Sequence, residues 1–396
     1  MSGTDDDRLE LSATCGVGLE PLLADELRAL GAAEVREGRG AVMFRGRWED
    51  TWRANRWLRT ANRVLVALGT WSGHDGDALH AGARNLARRR RRIGGIDLGR
   101  LLSPDLTLSI RATTHASRIT DSRWAALRAK DGLVDGQRDR HGRRSSVDRE
   151  APDLPLRLRL DRDQVTLFLD TSGEPLDRRG YRARGADAPL RETLAAACVL
   201  AAEWNGEGAI FDPMCGSGTL LVEAAWWALG WPPSRLRDRF AFEGFLGFNA
   251  ERWAAIRDEP FSGDRTPRSE DDLPIIGVDH APEATAAARV NLAAAGLEDA
   301  RVRRGDAFDL EPPAAPGLLL INPPYGARLT AAASPDADRE RWRTLGDLLK
   351  ARYAGWRAVV VAGDEGRGKH IGLRPQRRLA IRNGPIEARL LVFDLY

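Results

Sequence analysis

Cysteine is scarce in this 396-residue chain: Cys15, Cys198 and Cys215 are the only three, and no two form a Cys-x-x-Cys pair. Histidine is sparse too, with six copies. A disulfide framework and a structural zinc site are therefore not expected, and no metal is assigned. Lysine is nearly missing, with only Lys130, Lys350 and Lys369 among 60 basic residues. Genomic base composition, which enriches Arg and Ala together, accounts for most of that ratio. It does not account for where the arginines sit. No apolar run approaches the ~20 residues that span a bilayer. The start, Met1–Arg8, is acidic and polar rather than leader-like. The expectation is a cytoplasmic protein that does not enter a membrane.

The charge that is present is unevenly placed. Residues 1–190 hold 34 Lys+Arg against 28 Asp+Glu, and residues 191–396 hold 26 against 29. Within 84–149 the count is 17 against 7. A localised basic stretch is the electrostatic footprint of nucleic-acid binding. The run Arg88–Arg92 alone would equally suit a solvated helix face.

Periodicity divides the chain. Over 1–70, strand patterns (Leu9–Thr14, Ala33–Glu37, Ala41–Arg45, Val64–Thr70) alternate with helix patterns (Leu19–Leu30, Trp48–Leu58). Their β-α-β-β-α-β order is that of a ferredoxin-like unit. Residues 71–171 read as a basic mixed α/β unit. It has helices at Ala81–Arg92 and Trp124–Gln137, and strands at Leu106–Ala112, Leu156–Leu160 and Gln164–Leu169. Residues 172–189, rich in Gly, Pro and charge, read as a linker. From 190 to 396, helix and strand patterns alternate regularly, and the strands are continuous apolar runs, as buried parallel strands should be. The expected fold class there is α/β, a Rossmann-like doubly wound sheet. It is interrupted by an insertion at Trp231–Asp272 and finished by an antiparallel hairpin, Leu379–Arg382 with Leu390–Leu395. That ending favours a methyltransferase over a dinucleotide dehydrogenase.

Four motifs fall at strand ends. Asp212-Pro-Met-Cys-Gly216-Ser-Gly218-Thr219 is a Gly-rich strand-to-helix turn, where backbone approaches a nucleotide-type ligand and a helix start offers free N–H groups. It lacks the Gly-x-Gly-x-x-Gly spacing of a pyrophosphate site. Asp279 follows the next strand, placed to accept from ribose hydroxyls and, slightly upstream of the cap of the helix at Pro282–Ala295, able to serve that helix at the same time. Asp306 follows the third, where a carboxylate accepts an adenine amino group or stabilises a turn. Asn322-Pro323-Pro324-Tyr325 follows the fourth. The prolines remove two N–H donors and leave carbonyl acceptors outward. Asn322 adds a side-chain acceptor, and Tyr325 an aromatic face for an unstacked base. Two acceptors holding the hydrogens of an exocyclic amine bend its nitrogen toward tetrahedral geometry and aim its lone pair. This is catalysis by positioning and electrostatics. Cys215 lies in the glycine turn and not in the proline loop, which argues against carbon-5 chemistry through a cysteine nucleophile.

Leu190-Arg-Glu-Thr-Leu-Ala-Ala-Ala197, Asp212–Thr219 and Asn322–Leu329 resemble the class I methyltransferase domain of the large-subunit ribosomal RNA guanine-N2 methyltransferases. The resemblance spans nearly the whole chain and is similar in extent to the N-terminal half of the bifunctional bacterial 23S rRNA enzymes. Ala13–Ala29, Val147–Asp153, Asp170–Arg182 and Asn383–Pro385 carry it outside the catalytic motifs; 84–104 fits it poorly. It implies a ferredoxin-like domain and an RNA-binding THUMP domain ahead of the catalytic one. The implied cofactor is S-adenosyl-L-methionine, held by Asp212, Met214, Gly216, Gly218, Asp279, Asp306 and Asn322, with Thr193 near its methionine end. Asn322, Pro323 and Tyr325 would hold the guanine. The implied partner is RNA, as 23S rRNA or a pre-50S particle, and the implied reaction is direct in-line methyl transfer to N2. Competing readings are a tRNA guanine-N2 methyltransferase, a DNA or protein amine methyltransferase, and a catalytically silent RNA-binding assembly factor.

Overall fold

A computed structural model of the chain describes residues 8–183, 190–260, 266–313, 316–323, 335–363, 366–384 and 386–396. The front part begins with β1 (Leu9–Cys15), α1 (Glu20–Ala29), β2 (Ala33–Gly38), β3 (Ala41–Gly46), α2 (Trp48–Trp57) and β4 (Ala61–Ser72). It continues through α3 (Gly76–Arg88), a short ribbon of β5 (Arg92–Ile93) and β6 (Ile96–Asp97), and the single turn α4 (Leu98–Leu101). β7 (Leu108–His115), α5 (Ser122–His141), β8 (Leu154–Asp161) and β9 (Gln164–Asp170) complete it.

The first six elements keep the ferredoxin-like order. Strand alternation sends Leu9, Leu11, Ala13, Val64, Val66 and Leu68 to one fully buried face. The two front units share one seven-stranded sheet, ordered β2-β3-β1-β4-β9-β8-β7. At twelve residues, β4 is the longest strand. It pairs antiparallel with β9 from Leu65 opposite Asp170 to Ser72 opposite Gln164. Helix α3 begins five residues before the sequence pattern suggests, because Asp75 caps it by accepting from Ala78 N. It ends at Arg88, so Arg89–Arg92 lie beyond its last turn. Gly132 and Gly136 of α5 face backbone of α3, where any Cβ would collide with the carbonyls of His80 and Arg84. The two helices therefore cross closely.

The back part comprises α6 (Glu192–Ala202), β10 (Ile210–Asp212), α7 (Thr219–Ala228), α8 (Ala250–Asp258), β11 (Ile275–Asp279), α9 (Pro282–Ala294) and β12 (Arg301–Arg304). β13 (Leu318–Ile321), α10 (Pro335–Arg352), β14 (Arg357–Gly363), β15 (Arg377–Asn383) and β16 (Ile386–Asp394) follow. The sheet runs β12-β11-β10-β13-β14-β16-β15. It is parallel up to β14 and then antiparallel through the terminal hairpin. β13 is buried at all four positions, which explains its unbroken Leu-Leu-Leu-Ile run. This is the Rossmann-like arrangement expected. The chain winds outward from β10 to β11 and β12, then returns to β13 on the other side of β10. That reversal is a topological switch point, where open α/β sheets bind ligands at the carboxyl ends of their strands.

The expected linker is packed tightly over its described part, residues 172–183. Ser172, Arg179 and Tyr181 are buried. Ser172 Oγ donates to Asn55 Oδ1 and accepts from Val64 N. Polarity misleads here because these polar groups are satisfied inside the protein rather than by water. The aromatic half of the insertion also packs inward: Phe242 stacks on Trp52 of α2 at 5.6 Å between ring centroids. Among the described residues no helix is long and apolar enough to cross a membrane.

Candidate active site

Three consecutive parallel strands deliver their terminal residues to the switch point. Asp212 ends β10 and is fully buried; its Oδ1 accepts from Met214 N at 3.0 Å. Its Oδ2 is buried with no hydrogen-bond partner among the described residues. Burial pushes this carboxyl well above the usual range; the Met214 N–H opposes the rise and the nearby Asp279 adds to it. A cationic group placed against Oδ2 would relieve that penalty.

The glycine turn is shaped for its path. Gly216 and Gly218 have φ of 53° and 82°, the left-handed region that only glycine enters without strain. Gly218 also lies 3.4 Å, from an ideal Cβ position, to Ala288 of α9. Two hydrogen bonds tie the turn to β11: Cys215 N donates to Val278 O, and Gly216 N donates to Asp279 Oδ2 at 2.9 Å. The other oxygen of Asp279 accepts from Ala281 N at 2.9 Å. Ala281 is the N-cap residue of α9 and has no side-chain cap of its own, so Asp279 serves both the glycine turn and the start of the helix. Each carboxylate oxygen keeps a lone pair for a further donor.

Asn322 follows β13, beside β10. Its Oδ1 is buried and has no hydrogen-bond partner among the described residues. Pro323 is buried after it. Two orphaned acceptors, Asp212 Oδ2 and Asn322 Oδ1, thus stand at the ends of adjacent strands. Buried acceptors left unpaired are costly, and their persistence at a switch point indicates that a ligand supplies the donors. Tyr325 lies outside the described residues. Asp306 sits exposed in the loop after β12, where its Oδ1 accepts from Phe308 N at 3.0 Å. Thr193 is buried, but its hydroxyl points to Asn62 of β4 at 3.5 Å. Hydrogen bonds join Asp212 to Met214 and Gly216 to Asp279, and Asn322 follows the strand next to β10; Asp306 and Thr193 have their side-chain hydrogen bonds elsewhere. Cys215 is buried and burial drives its thiol pKa far up, so it is no nucleophile.

Sequence reasoning missed two arginines behind this site. Arg182 donates to Glu192 Oε1 at 2.9 Å and to Thr219 Oγ1 at 3.3 Å, bridging the first residues of α6 and α7. Arg179 donates to Glu223 Oε1 at 3.1 Å, both side chains almost wholly buried. The available signal was Glu223 itself. A lone acid inside the apolar run Thr219–Ala228 needs a buried cation.

Known proteins match this chain in sequence and fold. Residues 179–391 match the model of the RMKL-like methyltransferase domain, 10–65 that of the RlmL ferredoxin-like domain, and 94–170 that of the THUMP domain. The ribosomal RNA large subunit methyltransferase K/L of Syntrophotalea carbinolica is 42% identical over 98% of this chain and 54% of its own length. The chain thus spans about half the length of such curated relatives. The Synechocystis protein slr0064, which carries the name of an RNA methyltransferase, is 36% identical over 97% of this chain and 96% of its own. The crystal structure of SMU.472 in complex with SAH superposes with a TM-score of 0.82 at 25% identity, covering 98% of both chains. The chain belongs to the family of RMKL-like methyltransferase domains, here carried behind a ferredoxin-like and a THUMP domain.

Proposed function

We propose that this protein methylates N2 of a guanine in 23S rRNA by direct in-line transfer from S-adenosyl-L-methionine. The observation that carries this reading is the orphaned, buried Oδ1 of Asn322 at the end of β13, one strand from the orphaned Oδ2 of Asp212. The cofactor, when bound, supplies an electrophilic methyl group on a positively charged sulfur. Asp212 would offer its free carboxylate oxygen to the cofactor's cationic end, and Asp279 its remaining lone pairs to ribose hydroxyls. Asp306 would take the adenine amine, and Thr193 would shape the methionine end.

Asn322 Oδ1 would accept one hydrogen of the guanine amine, and the carbonyl before Pro324 the other. Holding both hydrogens out of the ring plane localises the nitrogen lone pair and orients it. Tyr325 would stack on the unstacked base. The amine proton leaves to solvent after transfer, so no strong base is needed, and no covalent enzyme intermediate forms. Names borne by relatives support rRNA of the large subunit as substrate, and the arginine-rich front sheet supports RNA in general.

The test is transfer of labelled methyl from S-adenosyl-L-methionine into 23S rRNA, pre-50S particles, 16S rRNA and tRNA from a strain lacking the gene, with the labelled nucleoside identified. The expected product is N2-methylguanosine in 23S rRNA or its particle. Label in tRNA alone would move the substrate to tRNA. No label anywhere, with RNA still bound, would favour a silent assembly factor.

A further inference from the structure

Away from the methyl-transfer site, the front sheet holds like charges that its own acids do not balance. Parallel pairing sets Arg111 of β7 beside Arg157 of β8 in register. Like charges opposed on neighbouring strands repel and weaken a sheet. Arg63 of β4 faces the same space. Burial pushes the Arg63 guanidinium pKa down; Asp170 opposes, and repulsion from Arg157 and Arg111 adds to the drop.

Asp170, fully buried, accepts from both Arg63 and Arg157 through Oδ2, while its Oδ1 takes the N–H groups of Ser172 and Gly173. It has no capacity left for Arg111. Glu174 pairs with Arg178 at 3.1 Å. Among the described residues, no acid forms an ion pair with Arg111 or Arg149. The space they share is a pocket of about 370 Å³, lined by Arg63, Arg111, Arg149, Arg157 and Arg178. Against these five cations stand Glu150 and Glu174 at the rim and Asp170 behind, an excess of two positive charges.

We propose that this pocket takes one phosphate group of the RNA, gripped by Arg111 and Arg149 with Arg157 and Arg63 behind. The proposal rests on the RNA reading above. Guanidinium forks match phosphate oxygens bidentately, and the ligand's charge would cancel the surplus. The position gives the pocket a second consequence. Gly173 and Pro175 line it, and they belong to the strap that runs on to Arg179 and Glu223 of α7. Arg237 of the catalytic part donates to the carbonyls of Ser172, Glu174 and Pro175 in the same strap. A phosphate seated here touches the joint between the RNA-gripping and catalytic parts.

The experiment measures binding of the full chain to a 23S rRNA transcript without cofactor, across a KCl series. Arg111→Ala/Arg149→Ala should raise Kd at least about tenfold and flatten the log Kd–log[KCl] slope by about one, the share of a single phosphate; Arg149→Ala alone should flatten it by less. Cofactor affinity should stay unchanged, which also reports an intact fold. Arg90→Ala, an exposed arginine outside the pocket, should have a smaller effect. An equal effect from Arg90→Ala, or wild-type affinity in the double variant, would overturn the pocket alone. Failure of the wild-type chain to bind any RNA would overturn the RNA reading and the pocket with it. Phosphatase-treated transcript separates sources: unchanged wild-type affinity assigns an internal phosphodiester, and reduced affinity a terminal phosphate.

Discussion

Asn322 and Asp212 are both buried acceptors, yet they call for different tests. Asn322 is neutral and, in the proposed reaction, holds the amine, so Asn322→Ala should lower turnover by about 100-fold or more, in the range seen on removing one electrostatic stabiliser. Cofactor affinity, read by calorimetry, should stay within about twofold; a large loss there would make Asn322 a cofactor residue only. Asp212 is ionisable, and burial holds its pKa above the usual carboxylate range. The native state therefore binds a proton that the unfolded chain has already released. That contribution to stability is fully present below the ordinary carboxylate range and is lost as pH rises toward the raised value. Asp212→Asn keeps the acceptor for Met214 N and removes the titration. The cofactor-free variant should melt a few degrees above wild type at neutral pH and converge with it in acid. Its cofactor affinity should fall about tenfold or more, the scale of a lost charged hydrogen bond. Equal melting at both pH values would mean that Asp212 is not the strained group. Both residues were legible in the sequence because each ends an apolar strand and begins a glycine or proline turn. The hydrogen bond from Gly216 to Asp279 was not, since 63 residues separate the partners.

Among elements, the glycine turn is held from outside itself. Asp279 carries Gly216 on one oxygen and Ala281 on the other, so it couples α9 to the turn that opens α7. Asp279→Ala should weaken cofactor binding at least tenfold, because it loosens the turn as well as removing the proposed ribose contact; unchanged binding would remove both roles. Gly277 offers a second lever. A Cβ there would come within 2.7 Å of Leu221 Cδ1 and 3.1 Å of Cys215 Sγ. Gly277→Ala must displace the buried side chain of Leu221 in α7 and crowd that of Cys215 in the turn, an overpacking cost of about 1–3 kcal/mol. Urea unfolding would measure it, and an unchanged midpoint would show that these side chains yield freely. The strands and helices of both sheets were readable from periodicity, and so was the final hairpin. The fusion of the front units into one sheet was not. β4 and β9 lie about a hundred residues apart, and nothing in either strand's alternation names its partner. The surplus length of β4 is the trace that this pairing leaves in the sequence.

The molecule as a whole is closed by a charge pair that no water reaches. Arg179 donates to Glu223, to Leu176 O at 2.7 Å and to Arg59 O at 2.5 Å, the last a residue of the front part. Arg59 in turn donates to Trp231 O at 2.5 Å, in the catalytic part. Tyr181 OH lies 3.4 Å from the same Glu223 oxygen. Charge and chain crossing are thus combined at one point, inside a segment whose composition suggests a free tether. Removing one partner of such a pair leaves an uncompensated buried charge, a cost of about 3–5 kcal/mol, whereas replacing both with apolar groups is often close to neutral. Arg179→Met should therefore destabilise the chain by that amount in urea. If Arg179 is what makes the parts unfold together, the variant's transition should also split into two. Arg179→Met/Glu223→Leu should recover most of the stability but not the backbone contacts to Arg59 and Leu176. Its transition should stay broader than wild type, and its RNA-dependent turnover should fall more than its cofactor affinity. A single sharp transition at wild-type stability in Arg179→Met would show that the parts are joined instead by the aromatic contact of Phe242 with Trp52 and by the packing around it.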